Sequence, residues 1–310
     1  MIKNFFKNHK IHKKIAPYMD YVFLFKPINF FLIWVLVCIG MYIAQVQVNL
    51  YPQWQSNFDY KVCLFFFSLT LILGSVFIKE EILKSKEEND NNRLINSSFI
   101  IKIQKWSLVV GFLLLLPINL FNLFLVAIIY LLFEKFNFNN DDNSNQPLIF
   151  YLLIPFILIL NGYCLVAANN SFFMIDINLI SIIKIFIYTL STSAISLIIY
   201  GQYDKQKINY FSLYSMLVMS VCFILGIYLV EPLLSICTIV SIPFFLYASI
   251  RRLDKDVVRA IRYPVFIFNF FLSTIYPYLA LILIIVFYIS KYYNWHRHNI
   301  HYPTFLINND

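Results

Sequence analysis

Long apolar runs, separated by short polar segments, limit this chain to very few kinds of fold. A helix needs about 20 mostly apolar residues to cross a hydrocarbon core about 30 Å thick. Only 13% of the residues are charged, which is too few to cover the surface of a water-soluble protein of this length. We therefore predict an all-α, polytopic membrane protein with about nine transmembrane helices. The nine runs are Pro27–Gln45, Val62–Ile78, Trp106–Ile118, Leu120–Phe133, Pro147–Ala168, Leu179–Tyr200, Phe211–Val230, Pro232–Ile250 and Tyr263–Ile289.

The third and fourth runs form one apolar stretch that is too long for a single helix. Pro117, Asn119 and Asn122 interrupt it. A proline in a helix interior removes a backbone hydrogen bond and clashes with the preceding turn. We interpret the stretch as a tight helical hairpin. One kinked helix would instead reduce the total to eight.

The distribution of basic residues predicts the orientation in the membrane, because Lys and Arg accumulate in short cytoplasmic loops. With nine helices and a cytoplasmic N-terminus, only Lys61, Lys184, Lys291 and Arg297 of the 24 basic residues fall elsewhere. We predict a multi-pass protein of the cell membrane whose C-terminus lies outside. Its parts are a basic cytoplasmic segment (1–26), one transmembrane domain (27–290) and a C-terminal tail (291–310).

These basic residues need no partner beyond the membrane itself. The net charge of +8 fits cytoplasmic loops that meet anionic lipid headgroups, so no nucleic-acid binding is predicted. No cleaved signal peptide is predicted at the N-terminus either, since the first apolar run is long enough to span. Lys184 lies inside the sixth run, and we expect its long side chain to extend to the nearby outer surface.

Acidic residues gather in loops that are predicted to be cytoplasmic. In the segment from Lys79 to Arg93, Glu80, Lys84 and Glu88 share one face if the second helix continues past the membrane. Carboxylates on one helix face can hold Mg²⁺, which in turn binds phosphate oxygens. Asp204 lies just beyond the sixth run. Ordinary ion pairs on a solvated helix extension remain the alternative.

The chain resembles the UbiA-type intramembrane prenyltransferases. Asp20 opens the sequence DYVFLFKPINFFLIWVLVCIGMY, which is similar to the first helix of that family. Lys291 opens KYYNWHRHNIHYPTF, which is similar to the end of some bacterial members. The family also has nine helices, with polar cytoplasmic loops between helices two and three and between helices six and seven. The resemblance implies a UbiA-like helical bundle.

The resemblance also implies site residues, a metal and substrates. In the family, two Asp-rich motifs bind Mg²⁺ and the diphosphate of an isoprenyl donor. The implied catalytic and metal-binding residues are Glu80, Glu88 and Asp204, and the implied substrate-binding residues are Lys84, Arg93, Lys205 and Tyr200. The first motif departs from the family pattern, because Lys84 places a positive charge where an Asp is expected.

Three functions follow as hypotheses. The first is an intramembrane prenyltransferase, a transferase of alkyl groups, which moves an isoprenyl group from its diphosphate to a lipophilic acceptor. The second is a catalytically inactive UbiA-like protein that binds membrane lipid or a protein partner. The third is a transporter, although the chain lacks the internal repeat and the paired interrupted helices typical of that class.

Overall fold

Helices make up nearly all of the chain that the structure describes. The computed structural model describes residues 10–48, 59–87, 98–138, 149–167, 178–201, 208–251 and 253–298. Within these ranges no β-strand occurs, and the predicted all-α class is confirmed. The helices are α1 (Lys10–Phe23), α2 (Phe30–Val48), α3 (Tyr60–Glu87), α4 (Ser98–Leu115), α5 (Leu120–Phe138), α6 (Ile149–Ala167), α7 (Leu179–Gly201), α8 (Ile208–Tyr228), α9 (Pro232–Arg251), α10 (Asp254–Ile275) and α11 (Pro277–His298).

The described helices are long and apolar enough for a polytopic membrane protein. By length and composition, eight segments of the described ranges can cross a membrane, and the segment Pro277–Tyr293 is apolar but shorter. The eight segments are Tyr18–Val46, Tyr60–Leu83, Ser98–Leu115, Phe150–Ala167, Leu179–Ile198, Tyr210–Tyr228, Pro232–Arg251 and Asp256–Ile275.

The predicted hairpin between the third and fourth runs is confirmed. α4 ends at Leu115, a turn follows, and α5 begins at Leu120. The side-chain oxygen of Asn119 accepts a hydrogen bond from the backbone N–H of Phe121 at 2.8 Å. Asn119 therefore caps the first turn of α5, which is why the chain restarts a helix there.

The prediction of a single ninth helix was wrong. The run Tyr263–Ile289 is divided between α10 and α11, and Tyr276 separates them. Pro277 is the first residue of α11, a position where its missing N–H costs no helical hydrogen bond. The hydroxyl of Tyr276 donates to the side-chain oxygen of Gln45 at 2.7 Å, so this break lies beside the end of α2.

Contacts near the start of α2 define one end of the bundle, which we call the basic end. There Lys26, just before α2, pairs with Glu80 near the end of α3. Lys79 of α3 contacts Glu134 near the end of α5. Antiparallel hairpins bring the ends of α7 and α9, and the starts of α8 and α10, to the basic end as well.

The last described helix returns to the basic end. The hydroxyl of Tyr293 in α11 donates to Asp20 Oδ1 of α1 at 2.9 Å, and its ring stacks on Phe23 with centroids 3.9 Å apart. The described ends of the chain therefore lie at the same end of the bundle. This arrangement differs from the predicted one, in which the segments before Pro27 and after Ser290 lay on opposite sides, because the ninth run is two helices.

Two glycines allow α2 and α6 to cross at backbone contact. A Cβ atom added at Gly40 would overlap the carbonyl oxygen of Ile159, and one added at Gly162 would overlap that of Val37. Close approach of this kind is common in membranes, where packing replaces the hydrophobic effect as the force between helices. α2 also contacts α3 through Trp34 and Thr70, so it occupies a central position in the bundle.

Candidate functional site

The acidic segment of α3 meets a lysine from the N-terminal side of α2. Lys26 Nζ lies 3.1 Å from Glu80 Oε2 and 2.8 Å from Glu81 Oε1. Lys26 adopts a left-handed backbone conformation, with φ 47° and ψ 60°, directly before Pro27. That turn brings its side chain to α3. The carboxylate of Glu80 is therefore neutralised by a lysine in the turn that precedes α2.

A second ion pair at the basic end joins α3 to α5. Lys79 contacts Glu134, and the rings of Phe77 and Phe133, one or two residues earlier in the same helices, meet edge to face. The charged contact thus lies above an apolar one on the same pair of helices. We interpret it as an interfacial ion pair that fixes the spacing of α3 and α5.

Only part of the predicted site falls within the described residues. Glu80 lies near the end of α3. Lys84 lies in α3 and Tyr200 in α7, with side chains outside the described part of the structure. Glu88, Arg93, Asp204 and Lys205 lie outside the described residues. Among the residues that are described, no group of three His, Cys, Asp or Glu side chains could hold a metal ion, so the Mg²⁺ site stays a prediction.

An apolar crevice of about 680 Å³ opens between α6, α7 and α8 in the half of the bundle nearest the basic end. Its lining residues are Tyr151, Leu152, Ser193, Leu197, Tyr210, Phe211, Leu213, Tyr214 and Leu217. Leu197 is one turn before the end of α7, and Tyr210 is in the first turn of α8. The segment that carries Asp204 and Lys205 connects these two turns. The crevice has the size and the lining to accept a hydrocarbon chain.

A buried polar cluster at the other end of the bundle was missed by the sequence analysis. Lys184 of α7 forms an ion pair with Glu231, in the turn between α8 and α9. The hydroxyl of Tyr188 donates to Glu231 Oε2 at 3.4 Å, and the ring of Tyr42 meets that of Tyr188 edge to face. The prediction that Lys184 extends to the surface is wrong, because its side chain is only 14% exposed and pairs with the buried carboxylate of Glu231.

The turn between α8 and α9 presents Glu231 to the bundle interior. Val230 adopts φ 55°, in the left-handed region that β-branched residues rarely occupy. The backbone N–H of Glu231 donates to the carbonyl oxygen of Gly226 at 2.8 Å. This tight turn explains how a residue between two apolar runs, which looks like part of an exposed loop, becomes buried.

Comparison of the chain with protein-family models, curated proteins and solved structures found no match. The resemblance to the UbiA-type prenyltransferases therefore stays a prediction from the residues quoted above.

Proposed function

We propose that the chain is a UbiA-like intramembrane prenyltransferase, with its donor site at the basic end. The observation that carries the proposal is the apolar crevice between α6, α7 and α8, which is lined by the last turns of α7 and the first turns of α8. In the sequence, Asp204 and Lys205 lie between these two helices. A prenyl diphosphate is an amphiphile with a long hydrocarbon chain and a multiply charged head. It fits a site in which an apolar crevice ends at an acidic and basic loop.

The two helices that lead into the acidic segments, α3 and α7, both contact the central helix α2, and this supports the same proposal. α2 contacts α3 through Trp34 and Thr70, and α7 through the rings of Tyr42 and Tyr188. The end of α3 lies beside the start of α2, where Lys26 pairs with Glu80, and the end of α7 lies at the same basic end of the bundle. In this proposal Glu80, Glu88 and Asp204 hold Mg²⁺, and Lys84, Arg93, Tyr200 and Lys205 bind the diphosphate.

The transfer breaks the bond between C1 of the prenyl group and the diphosphate oxygen. The diphosphate leaves with the electron pair, the lipophilic acceptor bonds to C1, and the acceptor loses a proton. Mg²⁺ and basic side chains lower the barrier to such a step by neutralising the charge that develops on the leaving group. Arg93 and Lys205 have this role in the proposal.

A second candidate function is binding of a lipid without turnover. The ion pairs of Lys26 with Glu80 and Glu81 favour it, because a lysine already satisfies the carboxylate that the resemblance assigns to Mg²⁺. In this version the crevice holds the chain of a phosphorylated lipid, and the basic residues bind its head.

Release of diphosphate by the purified full-length chain tests the first candidate. The protein is incubated with geranylgeranyl diphosphate, Mg²⁺ and a membrane lipid extract as acceptor. We expect release that stops when EDTA is added and that falls by about 100-fold in the E88A/D204A double variant, the loss typical of removing transition-state electrostatics. The control D141A/D142A removes two acids from a different segment and should keep the wild-type rate.

Binding separates the two candidates. A fluorescent prenyl diphosphate that binds the wild-type chain without any release of diphosphate supports the inactive lipid-binding protein and contradicts the transferase. Release that continues in EDTA or in E88A/D204A also contradicts the transferase. Absence of both binding and release contradicts both candidates.

A further inference from the structure

A buried carboxylate organises two arginines where α9 meets α10 at the basic end. Asp256 Oδ1 accepts a hydrogen bond from Arg259 NH1 at 2.9 Å. The other oxygen, Oδ2, lies 3.5 Å from Arg251 Nε. Arg251 comes from the last turn of α9 and Arg259 from the second turn of α10. One carboxylate thus fixes two guanidinium groups that belong to different helices.

The two arginines remain accessible although their partner is buried. The side chain of Asp256 is 1% exposed, whereas those of Arg251 and Arg259 are 45% and 52% exposed. Arg251 is held further by Tyr247, to whose hydroxyl its NH1 donates at 3.0 Å and over whose ring it lies. Each guanidinium has five N–H donors, and these contacts use only some of them. Two positive charges against one carboxylate leave the cluster with a net positive charge.

Exposed apolar side chains lie near this cluster in the chain, on the two helices and in the turn between them. They are Ile250 of α9, Leu253 of the turn, and Tyr263 and Phe266 farther along α10. A free phosphate would use only the arginines, whereas a phospholipid would also use the apolar surface. We propose that the α9–α10 turn binds the phosphate of an anionic phospholipid, with its acyl chains along α9 and α10. Paired guanidinium groups suit phosphate because they donate two parallel hydrogen bonds.

Native mass spectrometry of the delipidated full-length chain tests this proposal, which does not depend on prenyl transfer. The probes are dioleoylphosphatidylglycerol and, for comparison, dioleoylphosphatidylcholine. We expect the dissociation constant for phosphatidylglycerol to rise about ten-fold in R251Q/R259Q, from the attraction of each basic residue for anionic lipid. Binding of phosphatidylcholine should not change.

The matched control is K102Q/K105Q, which removes two exposed lysines from α4 at the same end. It should change the affinity for phosphatidylglycerol by less than about two-fold, because isolated surface charges are screened. A loss as large as that of R251Q/R259Q would show general charge attraction and overturn the site. Millimolar inorganic phosphate that displaces the lipid would overturn the choice of a lipid as the ligand.

A conservative variant keeps the test decisive if R251Q/R259Q does not fold. R251K/R259K keeps both charges but loses the fork geometry, so we expect weaker binding of phosphatidylglycerol at a wild-type melting temperature. Wild-type affinity in this variant, or in a folded R251Q/R259Q, would overturn the proposal.

Discussion

The ion pair between Lys184 and Glu231 is asymmetric in its burial. The side chain of Glu231 is 2% exposed and that of Lys184 is 14% exposed. Glu231 also accepts a hydrogen bond from the hydroxyl of Tyr188, whose ring meets that of Tyr42. When one partner of a buried pair is removed, the remaining charge is left without compensation, and this costs more than the net worth of the pair. The pair therefore fixes the α8–α9 turn against α7 and α2.

Replacement of Lys184 should destabilise the protein, because it removes the counter-ion of a buried carboxylate. In K184M the carboxylate of Glu231 stays buried without its counter-ion, and we expect a loss of about 3 kcal/mol in the free energy of unfolding. Denaturation in detergent, followed by circular dichroism, measures it. The double variant K184M/E231Q should recover most of that loss.

Two comparisons make this prediction specific. K102M removes an exposed lysine and should leave the free energy of unfolding unchanged within error. If K184M/E231Q is as unstable as the sum of its single variants, the two side chains are not coupled, and the role given to the pair is wrong.

At the scale of helices, the crossing of α2 and α6 depends on glycine at positions where the opposing atoms belong to the backbone. In G162A the new methyl group meets the main chain at Val37, which cannot move aside. We expect a loss of about 2 kcal/mol or more in the free energy of unfolding, within the usual range for overpacking. Denaturation in detergent gives the value.

G74A is the matched control, because the atoms nearest to its new methyl group belong to the phenyl ring of Phe25 and not to a backbone. A side-chain ring can rotate away, so we expect a loss of less than about 1 kcal/mol. Equal losses in G74A and G162A would contradict the view that backbone contact sets the α2–α6 distance.

Proline positions show how much of the helix pattern could be predicted from the sequence. Pro117 lies in the turn between α4 and α5, and Pro277 begins α11, but Pro155, Pro243 and Pro264 lie inside helices. Length and flanking asparagines identified the first break. The break at Tyr276 was missed because an unbroken apolar run of that length also fits one tilted helix.

Only the features of the candidate site that depend on neighbouring residues in the sequence could be predicted. Four-residue spacing placed Glu80 on an extension of α3, and α3 does continue to Glu87. Lys26 and Glu231 were not predicted as partners of Glu80 and Lys184, because both contacts join residues that are distant in sequence. They depend on left-handed residues, Lys26 itself and Val230, for which the sequence offers no glycine as a signal.

For the whole molecule, the return of α11 predicts that both chain ends lie on one side of the membrane. This changes the account of the basic residues, because Lys291 and Arg297 of α11 then join the others at the basic end. Only Lys61 and Lys184 remain elsewhere, and the positive-inside rule assigns the basic end to the cytoplasm. We expect a green fluorescent protein fused after Asp310 to fluoresce in a bacterial host, as one fused before Met1 does.

A control fusion gives the contrasting result. Alkaline phosphatase inserted between Ala167 and Leu179 should be active, because the intervening segment joins two helices at the end opposite the basic end. The return of α11 across the membrane would be contradicted if green fluorescent protein fused to the C-terminus did not fluoresce and alkaline phosphatase fused there was active.

The stacking of Phe23 on Tyr293 joins a residue that is synthesised early to one that is synthesised late. The ribosome makes α1 first, and Tyr21 of α1 can meet Phe99 as soon as α4 has been made. The ring of Tyr293, on which Phe23 stacks, is made only near the end of synthesis. The contact between α1 and α11 is therefore one that can form only when nearly the whole chain has been made.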